Sequence, residues 1–246
     1  MKQTRILWDM PITVEIRDKE FTPEDMDAVY TYFQHVDDVF STFKETSEIS
    51  RINRGEIAAD DWSKEFLEVI RLCDETHRDT NGYFSHMRDG EFHPLGLVKG
   101  WAIHNAANLL RRRNIRNFYI DAGGDIEMSG VNIVGQPWSV GIRDPFNRDA
   151  IVRKLTLTDC GIATSGTYIR GDHIYNPKNQ MPAISEVVSL TVIGPNVYEA
   201  DRFVTAAFAM GEKGIEFIAA QPGLEGYQID KRGIATYTKG FDYASC

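Results

Sequence analysis

Asp201 and Thr205 stand four residues apart in EADRFVTAAFAMG, residues 199–211. On a helix that spacing puts them on one face, one turn apart. A carboxylate and a hydroxyl are hard oxygen ligands, suited to Mg²⁺ rather than to a soft metal. The plainer alternative is that Asp201 occupies the first turn and serves only the helix dipole. A second candidate is the turn in NFYIDAGGDIEMSG, residues 117–130, where Asp121 and Asp125 flank Gly123 and Gly124. Ordinary turn chemistry accounts for Gly-Gly-Asp, and so does a turn that lets a ligand press against bare backbone.

Three further stretches carry chemistry-bearing residues. In PLGLVKGWA, residues 94–102, Gly96 precedes a helix whose free N–H groups can receive an anion. Lys99 falls early in that helix, where the dipole disfavours a cation, which hints at a phosphate or acidic neighbour; a solvated lysine is the alternative. The small-residue run Ala163-Thr-Ser-Gly166 bares amides and carbonyls, Ser165 and Gly166 among them, to a close-fitting ligand. His173 follows at the start of a short strand before Asn-Pro; imidazole is a competent base near neutral pH, although a lone histidine is commonly structural. Phe40 and Phe43 in FSTF, with SEISRIN ending at Asn53, combine aromatic faces that stack flat rings with small polar groups. For Phe40, packing in the core explains the residue equally well.

These residues need elements to hold them. Residues 12–16 alternate like a strand. Thr22-Pro23-Glu24 opens a helix running to about residue 43, with an N-cap and proline in the first turn. Helices are also expected at 62–80, with Ser63 as cap, at 98–113, and at 199–210, where Gly211 is a natural C-cap. Strands are expected at 117–120, 138–142, 151–157 and 187–193. Strands and helices mix without a regular beat, and several consecutive strands read as hairpins. The fold class is α+β, in a single domain over residues 1–246, with a loose tail from about residue 237.

Composition narrows the partners. The 246 residues are 42% hydrophobic and 26% charged, ordinary for a soluble globular chain. The formal charge of −9 argues against nucleic acid, and means that a phosphorylated substrate needs a metal or local basic groups. No apolar run approaches a membrane span, and the four-residue cluster before Asp9 is too short for a signal-peptide core. Cys73, Cys160 and Cys246 are odd in number and widely spaced, which suits reduced thiols and a cytoplasmic location.

Taken in order, FSTF with SEISRIN, GLVKGWA, NFYIDAGGDI, WSVGIRDP, GIATSGTYIR with HIYNP, and SLTVIGP with ADRFVTAAFAMG resemble the ApbE family, the FAD:protein FMN transferases. The match spans roughly residues 10–210. The resemblance implies an α+β, T-fold-like arrangement of mixed sheets flanked by helices, with FAD in a cleft between two lobes and Mg²⁺ at the pyrophosphate. It implies transfer of FMN from FAD to a Thr or Ser hydroxyl of an acceptor flavoprotein, with release of AMP. Alternatives are an Mg²⁺-dependent FAD pyrophosphatase and a flavin-binding protein without turnover. By resemblance, Asp201 and Thr205 are metal ligands, with a carbonyl at Ala163 as the third, and Asp201 is also catalytic. Met10, Phe43, Asn53 and Lys99 belong to the FAD pocket, as do the turn residues Asp121, Gly123, Gly124 and Asp125. Ser165, Gly166 and His173 complete it, with His173 as general base for the acceptor hydroxyl. The chain departs from the family pattern at Met10-Pro11, where Met-Gly is common, and at His93, where aspartate usually precedes Pro-x-Gly.

Overall fold

The computed structural model describes residues 1–147, 149–167, 175–178, 181–182 and 185–244. The chain opens with strands β1 (Lys2–Leu7) and β2 (Met10–Ile16), followed by helices α1 (Pro23–Phe40), α2 (Glu48–Asn53) and α3 (Lys64–Asp79). A small hairpin, β3 (Met87–Arg88) with β4 (Glu91–Phe92), leads into α4 (Leu95–Arg112). Then come β5 (Phe118–Ala122), β6 (Asp125–Ser129), β7 (Trp138–Arg143), β8 (Ile151–Leu157) and β9 (Cys160–Gly166). After β10 (Tyr175–Asn176) and β11 (Met181–Pro182), strand β12 (Val187–Gly194) feeds α5 (Val197–Ala209). A short α6 (Gly214–Ala219), β13 (Glu225–Asp230) and β14 (Ala235–Tyr237) follow.

Local chemistry explains the helix starts. Thr22 and Asp25 close a capping box on α1, with Pro23 at its first position. The Ser63 hydroxyl accepts from the Phe66 amide at 3.1 Å, and the Asn196 side chain accepts from the Glu199 amide at 2.9 Å. Asp201 therefore lies in the second turn of α5, and Asn196, not Asp201, caps that helix. Helix α4 begins at Leu95 rather than after Gly96. Pro94 supplies its cap position, so Gly96 and Lys99 are inside the helix.

Among the described residues, eight strands form one antiparallel sheet in the order β1-β2-β5-β6-β9-β12-β13-β14. Alternation assigns its two faces. Ile12, Val14, Phe118, Ile120 and Ala122 pack under α1 and α4, while Ala163, Leu190 and Val192 pack under α5. The opposite face, through Ile126, Met128, Ile162 and Tyr227, is covered by the separate hairpin β7–β8 with Trp138, Val140 and Leu155. The fold is thus α+β, with sheets flanked by helices, every described strand pair being antiparallel rather than mixed. Phe33, Phe40, Phe66 and Phe118 are fully buried, each contributing about 1.5–3 kcal/mol. No helix among the described residues is long and apolar enough to cross a membrane.

The C-terminal segment is not loose. Tyr237 pairs with Tyr227 across β13–β14, their rings stacked at 5.7 Å, and Phe241 is 1% exposed against the same cluster. The Thr238 hydroxyl accepts from the Gly226 amide at 3.0 Å. The widely spaced aromatics are what tie residues 237–244 down, and a tail read by its polarity conceals them.

Candidate active site

Helices α4 and α5 cross at unusually close range. A Cβ added at Gly100 would lie 2.6 Å from Asp201 Cβ, and one added at Gly96 would lie 3.0 Å from Thr205 Cγ2. Two glycines one turn apart on α4 therefore admit the face of α5 that carries Asp201 and Thr205. The Gly100 amide donates to Asp201 Oδ2 at 2.8 Å, and the Thr205 hydroxyl donates to the Gly96 carbonyl at 3.3 Å. The helix period set these two residues on one face, and the glycines bring that face against α4.

Lys99 reaches from the same helix to two buried carboxylates. Its Nζ is 2.5 Å from Asp125 Oδ2 and 3.9 Å from Asp201 Oδ1. Asp125 Oδ1 also accepts from the Thr164 amide at 3.0 Å, which ties β6 to β9 beside the site. Burial pushes the Asp201 carboxyl well above the usual carboxylate range. The positive charge of Lys99 opposes that shift, and the neighbouring Asp125 adds to it. Two carboxylates and a hydroxyl from β6 and α5, with the α4 ammonium near both carboxylates, make a cluster of hard oxygen donors.

The glycine turn has a local cause. Ala122 pairs with Asp125, leaving Gly123 (φ 64°) and Gly124 (φ 100°) as a two-residue hairpin loop that requires the left-handed region twice. Asp121 Oδ1 accepts from the Gly124 amide at 2.8 Å, and burial raises its carboxyl pKa. Asp121 is thus committed to its own turn. Met10 Sδ would stand 2.8 Å from a Cβ at Gly123, whereas a Cβ at Gly124 meets nothing within 4 Å. Only Gly124 presents an open side to a ligand; Met10 fills the space beside Gly123.

The remaining expected residues are more scattered. Asn53 donates to the Phe92 carbonyl at 3.0 Å and accepts from the Phe92 amide at 2.8 Å, so its amide clips β4 to α2. Phe40 is in the core, stacked on Phe66 at 6.1 Å, while the Phe43 ring is 86% exposed. Ala163 and Ser165 are buried on β9, opposite Val192 and Leu190, and Gly166 lies opposite Ser189. The His93 amide donates to the His86 carbonyl at 2.6 Å, and burial lowers the His93 imidazole pKa. His173 lies outside the described residues. A pocket of about 600 Å³ lined by Pro195, Asn196, Glu199, Arg202 and Phe203 has none of the expected residues, Asp201 included, in its lining.

Two features escaped the sequence reading. Gly100 serves as spacer and amide donor, and the small-xxx-small spacing of Gly96 and Gly100 was its signal. Glu127 is 1% exposed beneath the helices; its place two residues after Asp125 on a strand puts both on one face.

With this geometry in view, comparison locates the molecule among known proteins. The flavin transferase ApbE from Vibrio cholerae superimposes with a TM-score of 0.85 at 20% identity, covering 99% of this chain and 98% of that one. The ApbE protein from Thermotoga maritima does so with a TM-score of 0.86 at 19% identity over the same shares. At such identity these structures define the fold alone, an α+β architecture that this chain shares with them. The profile of the ApbE family matches residues 8–87 and 92–228, so the chain belongs to the ApbE family. Its one interruption falls at the tip of the β3–β4 hairpin. The FAD:protein FMN transferase of Salmonella typhimurium is 31% identical over 144 residues, 55% of this chain and 41% of that protein. The matched stretch therefore covers less than half the length of that curated relative.

Proposed function

We propose that the chain is an FAD:protein FMN transferase, moving FMN from FAD to a Thr or Ser hydroxyl of an acceptor flavoprotein with Mg²⁺ bound. The observation that carries this reading is the convergence of Lys99, Asp125, Asp201 and Thr205 at the α4–α5 crossing, in a member of the ApbE family. The donor set fits the cation. Among the described residues no three Asp, Glu, His or Cys side chains form a ready-made metal cluster. A hard ion here would be held by carboxylate oxygen from Asp201, hydroxyl oxygen from Thr205 and a carbonyl from the Ala163 segment. When bound, it supplies positive charge for the pyrophosphate oxygens, which an otherwise acidic chain does not.

The residues of the chain then have separate tasks. Lys99 neutralises Asp125 and holds a positive charge beside the phosphate position. Gly124 lets the dinucleotide approach the turn, and Ser165 and Gly166 offer backbone and hydroxyl groups along β9. His173 takes the proton of the acceptor hydroxyl as its oxygen attacks the FMN phosphorus. The new O–P bond forms as the bridging pyrophosphate bond breaks, and AMP leaves with the bridging oxygen. A cytosolic setting accords with the buried free thiols of Cys73 and Cys160.

One incubation tests the proposal: the protein, FAD, Mg²⁺ and a candidate flavoprotein carrying a Ser/Thr-Gly-Ala-Ser/Thr-like site. The acceptor gains the mass of FMN in step with AMP release. Asp201→Ala abolishes both, and His173→Asn lowers transfer by about 10²-fold, within the range for a lost general base. AMP without a flavinylated acceptor identifies hydrolysis instead, and FAD binding without AMP identifies a binding protein.

A further inference from the structure

We infer that Glu127 is a positioning residue, a buried side chain that sets the relative placement of the three elements bearing Lys99, Asp125 and Asp201. The inference rests on the reading of that site as the metal-dependent centre. Glu127 is 1% exposed, and each of its oxygens is used. Oε2 accepts from the Val197 amide at 2.7 Å, at the first residue of α5. Oε1 accepts from Arg111 Nη2 at 2.8 Å and lies 3.3 Å from His104 Nδ1, both on α4. Asn108 joins these two partners, its carbonyl accepting from Arg111 at 3.0 Å and its Nδ2 lying 3.0 Å from His104 Nε2.

The geometry makes this more than an internal ion pair. Val197 lies one turn before Asp201, His104 lies just over one turn after Lys99, and Glu127 itself is two residues from Asp125 on the same strand face. The start of α5 packs directly on Gly161 of β9, where an added Cβ would lie 1.9 Å from the Val197 nitrogen, so only glycine fits beneath it. The start of α5 is therefore gripped between a glycine and a carboxylate, while the same carboxylate holds α4. A negative charge at a helix N-terminus is favourable in its own right. Here it also fixes how far α5 is rotated and advanced, and so where the Asp201 oxygens stand relative to Lys99.

Glu127→Gln tests this, because it keeps the side chain's volume and one acceptor but removes the charge that orders Arg111 and His104. The crystal structure of the variant is expected to show the Asp201 carboxylate displaced by about 1 Å, enough to matter at a reacting centre. Calorimetric titration with Mg²⁺ is expected to show affinity lowered on the order of 10-fold, as for the partners that orient a metal ligand. Val29→Ala, a cavity in the α1 core, is the matched control: it lowers the melting temperature but moves neither readout. If Glu127→Gln does not fold, Arg111→Lys keeps the charge, loses the guanidinium reach and carries the same test. An unmoved Asp201 overturns the inference, and so does a moved Asp201 in a variant that binds Mg²⁺ as tightly as the parent. Failure of the parent itself to bind Mg²⁺ condemns the metal reading alone; the displacement of Asp201 then decides the role of Glu127.

Discussion

Substituting Gly100 by alanine isolates the helix crossing from the chemistry it serves. The added Cβ would stand 2.6 Å from Asp201 Cβ, 2.9 Å from the Val197 carbonyl oxygen and 3.0 Å from Asp201 Oδ2. Ordinary contact begins at 3.4 Å, so α4 and α5 must part by roughly 0.8 Å, the difference between 3.4 and 2.6 Å. The carboxylate is attached to the backbone that is pushed, so no side-chain rotation absorbs the whole change. Overpacking of this kind costs about 1–3 kcal/mol, and alanine's better helix propensity offsets about 1 kcal/mol of it. The net loss of about 0–2 kcal/mol leaves a domain of ordinary stability folded. A misplacement near 1 Å at a reacting centre costs on the order of 10²-fold in rate. The variant is therefore expected to melt within several degrees of the parent while losing about 10²-fold in FMN transfer, followed by intact mass of the acceptor. Transfer at the parent rate refutes the argument that this crossing sets Asp201.

Other changes separate structural from chemical roles. Burial raises the Asp201 carboxyl, so the folded chain holds that proton more tightly than the unfolded chain, and stability is lost as pH climbs from the ordinary carboxylate range through the raised pKa. In chelator, Asp201→Asn is therefore expected to melt above the parent at about pH 8, with the gap closing toward about pH 4; a constant gap contradicts the shift. Asn53→Ala removes both bonds to Phe92 and is expected to cost about 1–3 kcal/mol in urea unfolding, with FAD affinity unchanged. Weakened FAD binding at full stability shows instead that Asn53 touches the ligand. Phe241→Ala is expected to cost about 3–5 kcal/mol by denaturation, whereas a loose tail loses nothing.

What could be read from the residues followed the range of the interactions that place them. The shared face of Asp201 and Thr205 is a property of the helix period and needs no tertiary knowledge. The Asp121 turn is equally local, because its carboxylate bonds an amide three residues on. The early lysine in α4 pointed to an acidic neighbour, and the fold supplies Asp125 from another element. The bonding partner of Asn53 was not legible, because it is 39 residues away, in a hairpin too short to announce itself. Gly96 reads from sequence as lying just ahead of α4, since glycine's turn signal is stronger than its packing signal until the partner helix is known. Glu127 offered no sign beyond alternation, because its partners on α4 and α5 lie 16 to 70 residues away along the chain.

The insertion of four helices between two neighbouring strands also fixes an order in time. β2 and β5 lie side by side, yet Ile16 and Phe118 are separated by about a hundred residues of chain. Closing a loop of that length costs roughly 4 kcal/mol before any contact within the pair offsets it. The β1–β2 hairpin needs no such closure and forms in about 1–10 μs, while a sheet built from distant partners forms in milliseconds to seconds. β6 joins β5, and Asp125 arrives with it. Lys99 and Asp125 are only 26 residues apart, within consecutive α4, β5 and β6, so their ion pair can form before β2 meets β5, and the slow closure is the docking of the first hairpin onto that unit.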